Sequence, residues 1–292
     1  MHRRSGATSI GGRAALVGLL ALGACSATVD DLNDGVLVLP PQLREVSAIV
    51  AVDPRTVACV QDEAGALFFV DLLGERPPRV APFGPAGDYE GLARVGDDYW
   101  VLRSDGLLLQ VVLRDSAFHI AATHRLMVEH QEFEGLCFDA DRGVLLVLPK
   151  DRVGDGKQER DQRVVYAFEL ATGRLRPEPD VVLHVKKLIQ QAAAHELALP
   201  TRTSAKGKVR TELKLSGSEL STVPGSTDLL ILSAVDRVLL RIDRTGRLLA
   251  VVRLDPQQLP QPEGMTFLAD GRLLVASEGG GGPGRVCVVD WR

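Results

Sequence analysis

The chain of 292 residues has only four cysteines. Cys25 directly follows a segment read below as a leader, and Cys59, Cys137 and Cys287 lie in three separate apolar runs. An odd number excludes a full disulfide framework. These three read as buried free thiols that pack as small hydrophobes. After the leader no apolar run reaches the ~20 residues that span a bilayer. Six histidines occur, and none stands in a His-Glu-x-x-His or Cys/His arrangement, which argues against a zinc site. A Gly-x-Ser-x-Gly elbow is absent, and Ser104-Asp105 has no evident histidine to act as its base. Gly279–Gly284 is followed by neither a helix nor a Gly-Lys-Ser/Thr, so it reads as a turn and not as a phosphate loop. The formal charge is −4 and no basic face is clustered, which excludes a nucleic-acid partner.

The start of the chain is not fold. Arg3, Arg4 and Arg13 form a positive stretch, and Ala14–Leu22 is an apolar segment too short to span a bilayer. Leu22-Gly-Ala-Cys25 then resembles a bacterial lipobox. That resemblance implies a signal peptide over 1–24, cleavage before Cys25 and lipid modification of Cys25. Ser26 resembles the pattern of outer-membrane sorting. The expected place is the cell envelope, lipid-anchored at the outer membrane or on a periplasmic face. Loss of 1–24 removes three arginines and no acid, taking the charge from −4 to −7. Residues 25–34 read as a polar tether, and 35–292 as one domain.

What the chain does have is a repeat. Asp88-Tyr-Glu-Gly-Leu-Ala93 returns as Glu134-Gly-Leu136 and Glu263-Gly-Met265, with weaker copies at Ser47-Ala-Ile49 and Ser218-Glu-Leu220. The starts at 47, 90, 134, 218 and 263 are 43, 44, 84 and 45 residues apart. A period in the forties marks a repeat architecture. Each copy is followed by a Val/Leu-rich run, such as Tyr99–Leu102, Val144–Leu148, Leu229–Leu232 or Leu273–Glu278. A third run follows, and in places a fourth, at Phe118–Ala122, Val181–Val185 and Leu248–Leu254. Short apolar runs bounded by Gly, Asp and Pro are strands, and units of about four strands are propeller blades. The reading is an all-β, five-bladed β-propeller. The 84-residue gap leaves a six-bladed alternative open. Against it, Lys186–Leu197 has helical spacing and Pro200–Lys214 is polar and basic. Residues 186–214 therefore read as a helix and solvated loop inserted between blades. The last unit has three runs and ends with the chain, while Val36–Leu39 is a strand without a unit. That N-terminal strand is expected to close the ring and remove its open edges.

Several pieces together resemble the SdiA-regulated family of bacterial envelope proteins. They are Leu39-Pro40, Glu45-Val-Ser-Ala-Ile49, Asp88-Tyr-Glu-Gly91, Ser104-Asp-Gly106, Phe133-Glu-Gly-Leu136, Gln261-Pro-Glu-Gly-Met265 and Ala276-Ser-Glu-Gly279. The resemblance implies a five-bladed propeller, distantly similar to NHL-repeat proteins and to phytase-like and esterase-like propellers, with a calcium site. Ala48 departs from the commoner Glu-x-Ser-Gly of the family.

The residues bear on the same point. The innermost strands of a propeller line its channel, so the starts of the five motifs face one another. Position zero is Ser47, Glu90, Glu134, Ser218 and Glu263, and two residues earlier stand Glu45, Asp88, Glu132, Ser216 and Gln261. Residues two apart on a strand point the same way. Further acids follow the second strands, at Asp62, Asp105, Asp151 and Glu278. Such an all-oxygen ring suits Ca²⁺, with Glu90, Glu134, Glu263, Ser47 and Ser218 as its candidate ligands. Ile49, Leu92, Leu136, Leu220 and Met265, two residues on, look like packing. Alternatively, Glu-Gly only satisfies backbone amides of the neighbouring blade. Three functions stay open: an anchored calcium-binding module with a small-molecule or protein ligand at the channel mouth, a metal-dependent ester or phosphoester hydrolase, and a metal-free interaction platform. For the second, Arg103, Lys150 and Arg152 at blade turns could meet a phosphoryl group. A monomer is expected.

Overall fold

The computed structural model describes residues 35–128, 132–154, 156 and 159–292. The expected signal peptide over 1–24, Cys25 and the expected tether lie outside the described residues. Five small sheets form a ring. Strand β1 (Val36–Val38) precedes the first blade, which is β2 (Val46–Asp53), β3 (Thr56–Gln61), β4 (Ala66–Asp71) and β5 (Arg79–Pro82). The second is β6 (Tyr89–Val95), β7 (Asp98–Arg103), β8 (Leu107–Arg114) and β9 (Ala117–Arg125). The third is β10 (Phe133–Asp139), β11 (Val144–Pro149) and β12 (Gln162–Glu169), with β13 (Arg174–Leu175) and β14 (Val181–His184) both paired to the long β12. Helix α1 (Val185–Ala194) and the hairpin β15 (Thr201–Thr203)–β16 (Val209–Thr211) follow. The fourth blade is β17 (Glu219–Thr222), β18 (Leu229–Ser233), β19 (Val238–Ile242) and β20 (Leu248–Arg253). The fifth is β21 (Gln261–Phe267), β22 (Leu273–Glu278) and β23 (Arg285–Val289).

The ring closes as the orphan strand suggested. β1 pairs antiparallel with β23, Val36 opposite Cys287 and Val38 opposite Arg285, and so supplies the fourth strand of the fifth blade. The innermost strands touch in the circular order β2, β6, β10, β17, β21 and back to β2. No room is left for a sixth blade.

Position in the blade explains the strand sequences. β4, β11 and β18 are buried along their whole length, because a middle strand has neighbouring blades on both faces, and they are apolar up to the closing Asp71 of β4 and Ser233 of β18. β9 is at the rim with one face in water and mixes exposed with buried residues. The five apolar cores lie between blades. One packs Phe69, Tyr99 and Phe118 between the first and second blades, and another packs Trp100, Phe168 and Leu145 between the second and third. Each blade therefore depends on its neighbours, as expected of a unit that cannot bury both faces alone.

The insertion departs from the expected loop in one respect. Helix α1 buries Val185, Leu188 and Ala192 in the core between the third and fourth blades. Its free Lys186 amide donates to Asp161 Oδ1 at 3.0 Å, which replaces the missing side-chain cap. Pro200–Lys214, expected as a solvated loop, contains the exposed hairpin β15–β16, since Thr in both arms and Val209 in the second favour a ladder. Cys59, Cys137 and Cys287 are free thiols, and burial pushes the Cys287 thiol up to about 11. Among the described residues no helix is long and apolar enough to cross a membrane.

Candidate functional site

The repeated motif has a geometric meaning. In four blades its first residue sits where the register between the innermost and second strands shifts by one. The shifts lie between Val46 and Ala48, Tyr89 and Gly91, Phe133 and Gly135, and Pro262 and Gly264. Ser47, Glu90, Glu134 and Glu263 are therefore bulge residues, freed from the ladder and re-aimed. In the fourth blade Ser218 donates its N–H to Leu232 O at 2.9 Å while Glu219 is the residue opposite Leu232, so Ser218 holds the same place.

The residue after the bulge is small in four blades, as Ala48, Gly91, Gly135 and Gly264, and at the glycines a neighbouring blade's inner strand passes close against it. A Cβ on Gly91 would lie 2.7 Å from Leu136 Cβ and 2.8 Å from Glu134 O. One on Gly264 would lie 2.9 Å from Ala48 Cα, across the closure of the ring. The fourth blade has Glu219 at this step, and its fully buried side chain crosses to the third blade. Glu219 Oε1 accepts from Leu136 N and from Leu220 N, both at 2.9 Å. Backbone satisfaction by a carboxylate, the alternative for the Glu-Gly motif, thus occurs one residue later, in one blade.

The other acids gather at the mouth where the innermost strands begin. The second strands end there too, since Gln261 is opposite Glu278, Tyr89 opposite Arg103 and Phe133 opposite Pro149. Burial, together with Glu134 and Asp88, pushes the Glu90 carboxyl up to about 9. Burial and Glu134 raise Glu263 to about 7, although Ser218 and Gln261 hydrogen-bond to it and pull it back. Burial, then Asp62 and Glu45, raises Glu278 to about 7. Burial raises Glu134 as well, against the pull of Lys150. These shifts share one origin: carboxylates removed from water beside others of the same sign.

Of the expected second set, Asp62 and Glu278 join this cluster. Asp105 and Asp151 do not. Asp105 meets Arg103 at 3.0 Å and Arg125 at 3.2 Å, and Asp151 is exposed, 4.0 Å from Arg163. The basic residue of consequence is Lys150, at the end of the second strand of the third blade. Its Nζ lies 2.6 Å from Glu134 Oε1 and 3.7 Å from Glu132 Oε2. Glu134 Oε1 is buried and has no well-directed hydrogen bond, so this ammonium is its one ionic partner among the described residues. Glu219 lay hidden in the sequence because its blade lacks the Glu-Gly pair. Lys150 stood in the sequence as a basic residue at a blade turn, but its pairing with Glu134 carries no period and could not be read there.

Further along the same strands, Ile49, Leu92, Leu136, Leu220 and Met265 are part of the lining of a cavity of about 240 Å³. These are the residues two beyond each bulge, and all are buried, as the packing assignment required.

The donor chemistry suits a hard cation: oxygen ligands only, an excess of negative charge, and a buried carboxylate oxygen with unused acceptor capacity. No group of three acids is already drawn together at metal-binding spacing among the described residues. An ion here would take its remaining ligands from water and compete with Lys150 for Glu134.

The SdiA-regulated family model matches residues 158–280, which bears out the resemblance read from the sequence. The match takes in Ser218 and Glu263. No curated protein matches the chain. Among solved structures, the crystal structure of Myxococcus xanthus glutaminyl cyclase is 16% identical with a TM-score of 0.50, covering 87% of this chain and 97% of that one. A streptogramin B lyase structure is 11% identical with a TM-score of 0.46, covering 87% and 97%. The WD40 propeller domain of Doa1 is 14% identical with a TM-score of 0.43, covering 85% and 93%. At such identities the cyclase shares the fold, and its chemistry is its own.

Proposed function

We propose that this chain, a β-propeller of the SdiA-regulated family, is an envelope-anchored module that binds Ca²⁺ at the acidic channel mouth and presents that mouth to a small-molecule or protein ligand. The observation that carries the reading is the re-aiming of Glu90, Glu134 and Glu263 by three equivalent bulges toward one mouth, with Lys150 the one ionic partner of the buried Glu134 Oε1 among the described residues. Three carboxylates carry a formal −3, enough to hold a dication if waters fill the usual six to eight oxygen positions. Ser218, already hydrogen-bonded to Glu263, and Ser47, buried at the equivalent bulge, are the neutral members of the ring.

Calorimetric titration of the purified full chain with calcium tests this. Saturable binding is expected, with a melting temperature raised by calcium and lowered again by chelator. The E90Q/E134Q/E263Q variant should fold and fail to bind. Absence of uptake by the wild type, or equal uptake by the triple variant, overturns the reading. The anchor has a separate test: Cys25→Ser should abolish lipid labelling and release the protein from the membrane fraction.

A further inference from the structure

The opposite face of the ring has a groove between the first and second blades, about 620 Å³ in volume. It is bounded by the turns β2–β3, β4–β5, β6–β7 and β8–β9. The volume is that of a small-molecule site. We propose that this groove is a second ligand site, independent of the acidic mouth, and that it takes an organic carboxylate with a flat apolar body.

The apolar part is an aromatic cluster. Phe69 and Phe118 are stacked with centroids 5.8 Å apart, and Tyr99 meets both edge-on at 5.8 and 5.7 Å. The exposed Leu113 stands at the rim. Aromatic faces favour offset-stacked or edge-on partners over saturated ones.

The polar part is a pair of arginines with spare donors. Arg79 is exposed, its guanidinium lies 3.8 Å over the Phe69 ring, and it has no ion pair among the described residues. Arg94 donates from Nη1 to Val52 O at 2.6 Å, which fixes the side chain across the two blades, while its buried Nε has no hydrogen-bond partner. A buried donor without an acceptor is costly unless a ligand or water completes it. The acids of the groove do not fill that role. Asp71 is taken by Arg55 and Arg76, and Asp53 accepts from Arg55 N at 2.8 Å. Asp97 is fully exposed and stands 3.5 Å from Arg94 Nη2, leaving Nε free. A planar guanidinium fork matches a carboxylate, and a guanidinium already seated on an aromatic ring loses little freedom when it grips one.

Calorimetric and NMR titrations of the full chain with 3-phenylpropionate, its uncharged amide and propionate test the proposal. The acid should bind saturably, and the amide and propionate about tenfold more weakly or not at all, because each lacks one half of the recognition. Arg79→Met, which keeps the apolar stem over Phe69, should weaken the acid about tenfold, a loss of about 1.4 kcal/mol. Binding should not change with calcium, chelator or the E90Q/E134Q/E263Q substitutions. Equal affinity for acid and amide, an unaffected Arg79→Met, no saturable binding of the acid, or loss of binding only in the mouth variant would each overturn it.

Discussion

On the face where β2, β6, β10, β17 and β21 end, buried and half-buried aspartates meet arginines; on the face where those strands begin, glutamates meet one another. Asp71 is gripped by Arg55 at 2.7 Å, Asp139 by Arg244 at 2.7 Å, Asp180 by Arg142, and Asp228 by Arg241 at 2.7 Å. The Arg55 hydrogen bonds hold the Asp71 carboxyl well below the usual carboxylate range, and Arg142 does the same for Asp180. At the mouth the direction reverses, and Glu90, Glu134, Glu263, Glu278 and Asp62 are all pushed up, chiefly by burial. The acids are chemically alike. What differs is whether the fold supplies a cation. A face that supplies its own partners is finished structure, and one that gathers like charges around a single lysine is prepared for a partner from outside. The groove beside Arg79 is the converse exception on the first face, with donors to spare.

If this contrast is right, removing a charge must have opposite signs on the two faces. The largest effect is expected from Arg244→Met. It leaves Asp139, whose side chain is only 4% exposed, with Arg142 at 3.6 Å as its remaining cation. Breaking a buried pair on one side costs about 3 kcal/mol, which urea denaturation would read as a lower midpoint. A loss below about 1 kcal/mol would show that the aspartate face is not held by these pairs.

The mouth should respond the other way, and with pH. A carboxyl whose folded pKa is raised stabilises the fold below its ordinary pKa, and that contribution is lost as pH rises through the folded value. Glu263 and Glu278 at about 7 and Glu90 at about 9 place this loss between about pH 5 and 9. The metal-free protein should melt progressively lower across that window, and calcium should flatten the profile. Glu90→Gln replaces a carboxyl that must keep its proton to stay buried, and should stabilise the metal-free protein by about 1–2 kcal/mol at pH 8, with little change at pH 4. A destabilised Glu90→Gln at pH 8 would mean that the charge is already compensated and the mouth is closed structure.

How much of this could be read from residues follows from periodicity. Five blades, their order and the closing strand were legible because each blade repeats one apolar pattern at a spacing in the forties, and because Val36–Leu39 lacked a unit. The hairpin at Thr201–Thr211 was not, since three-residue arms of Thr, Arg and Val give too short a pattern to stand out from polar loop. At the site, Glu90, Glu134 and Glu263 were legible from the repeat. Why they are aimed inward was not, because a bulge is a register shift and leaves no mark in composition. Glu219 and Lys150 break the repeat; the packing of the fourth blade against the third brings Glu219 beside Glu134, and the β10–β11 ladder brings Lys150 there.

Lys150 offers the finest test of the contrast, because it alone makes the mouth resemble the other face. Its ammonium, 2.6 Å from Glu134 Oε1, occupies the oxygen that a calcium ion would need. Glu134, Glu132 and Glu90 hold its proton more firmly than usual, so in the metal-free protein it stays charged throughout the physiological range. Binding of calcium must therefore displace a cation already in place, and the displaced charge then stands beside the ion. Lys150→Met keeps most of the side-chain volume and removes both penalties. Calcium affinity should rise about tenfold, worth about 1.4 kcal/mol. The same substitution leaves Glu134 buried without its cation, so the metal-free variant should melt below the wild type and regain the difference when calcium is added. Calorimetry and melting curves on the one variant check both halves. If the variant is destabilised and calcium neither binds more tightly nor restores it, then Lys150 and Glu134 are one more structural pair, and the two faces of the ring differ in degree only.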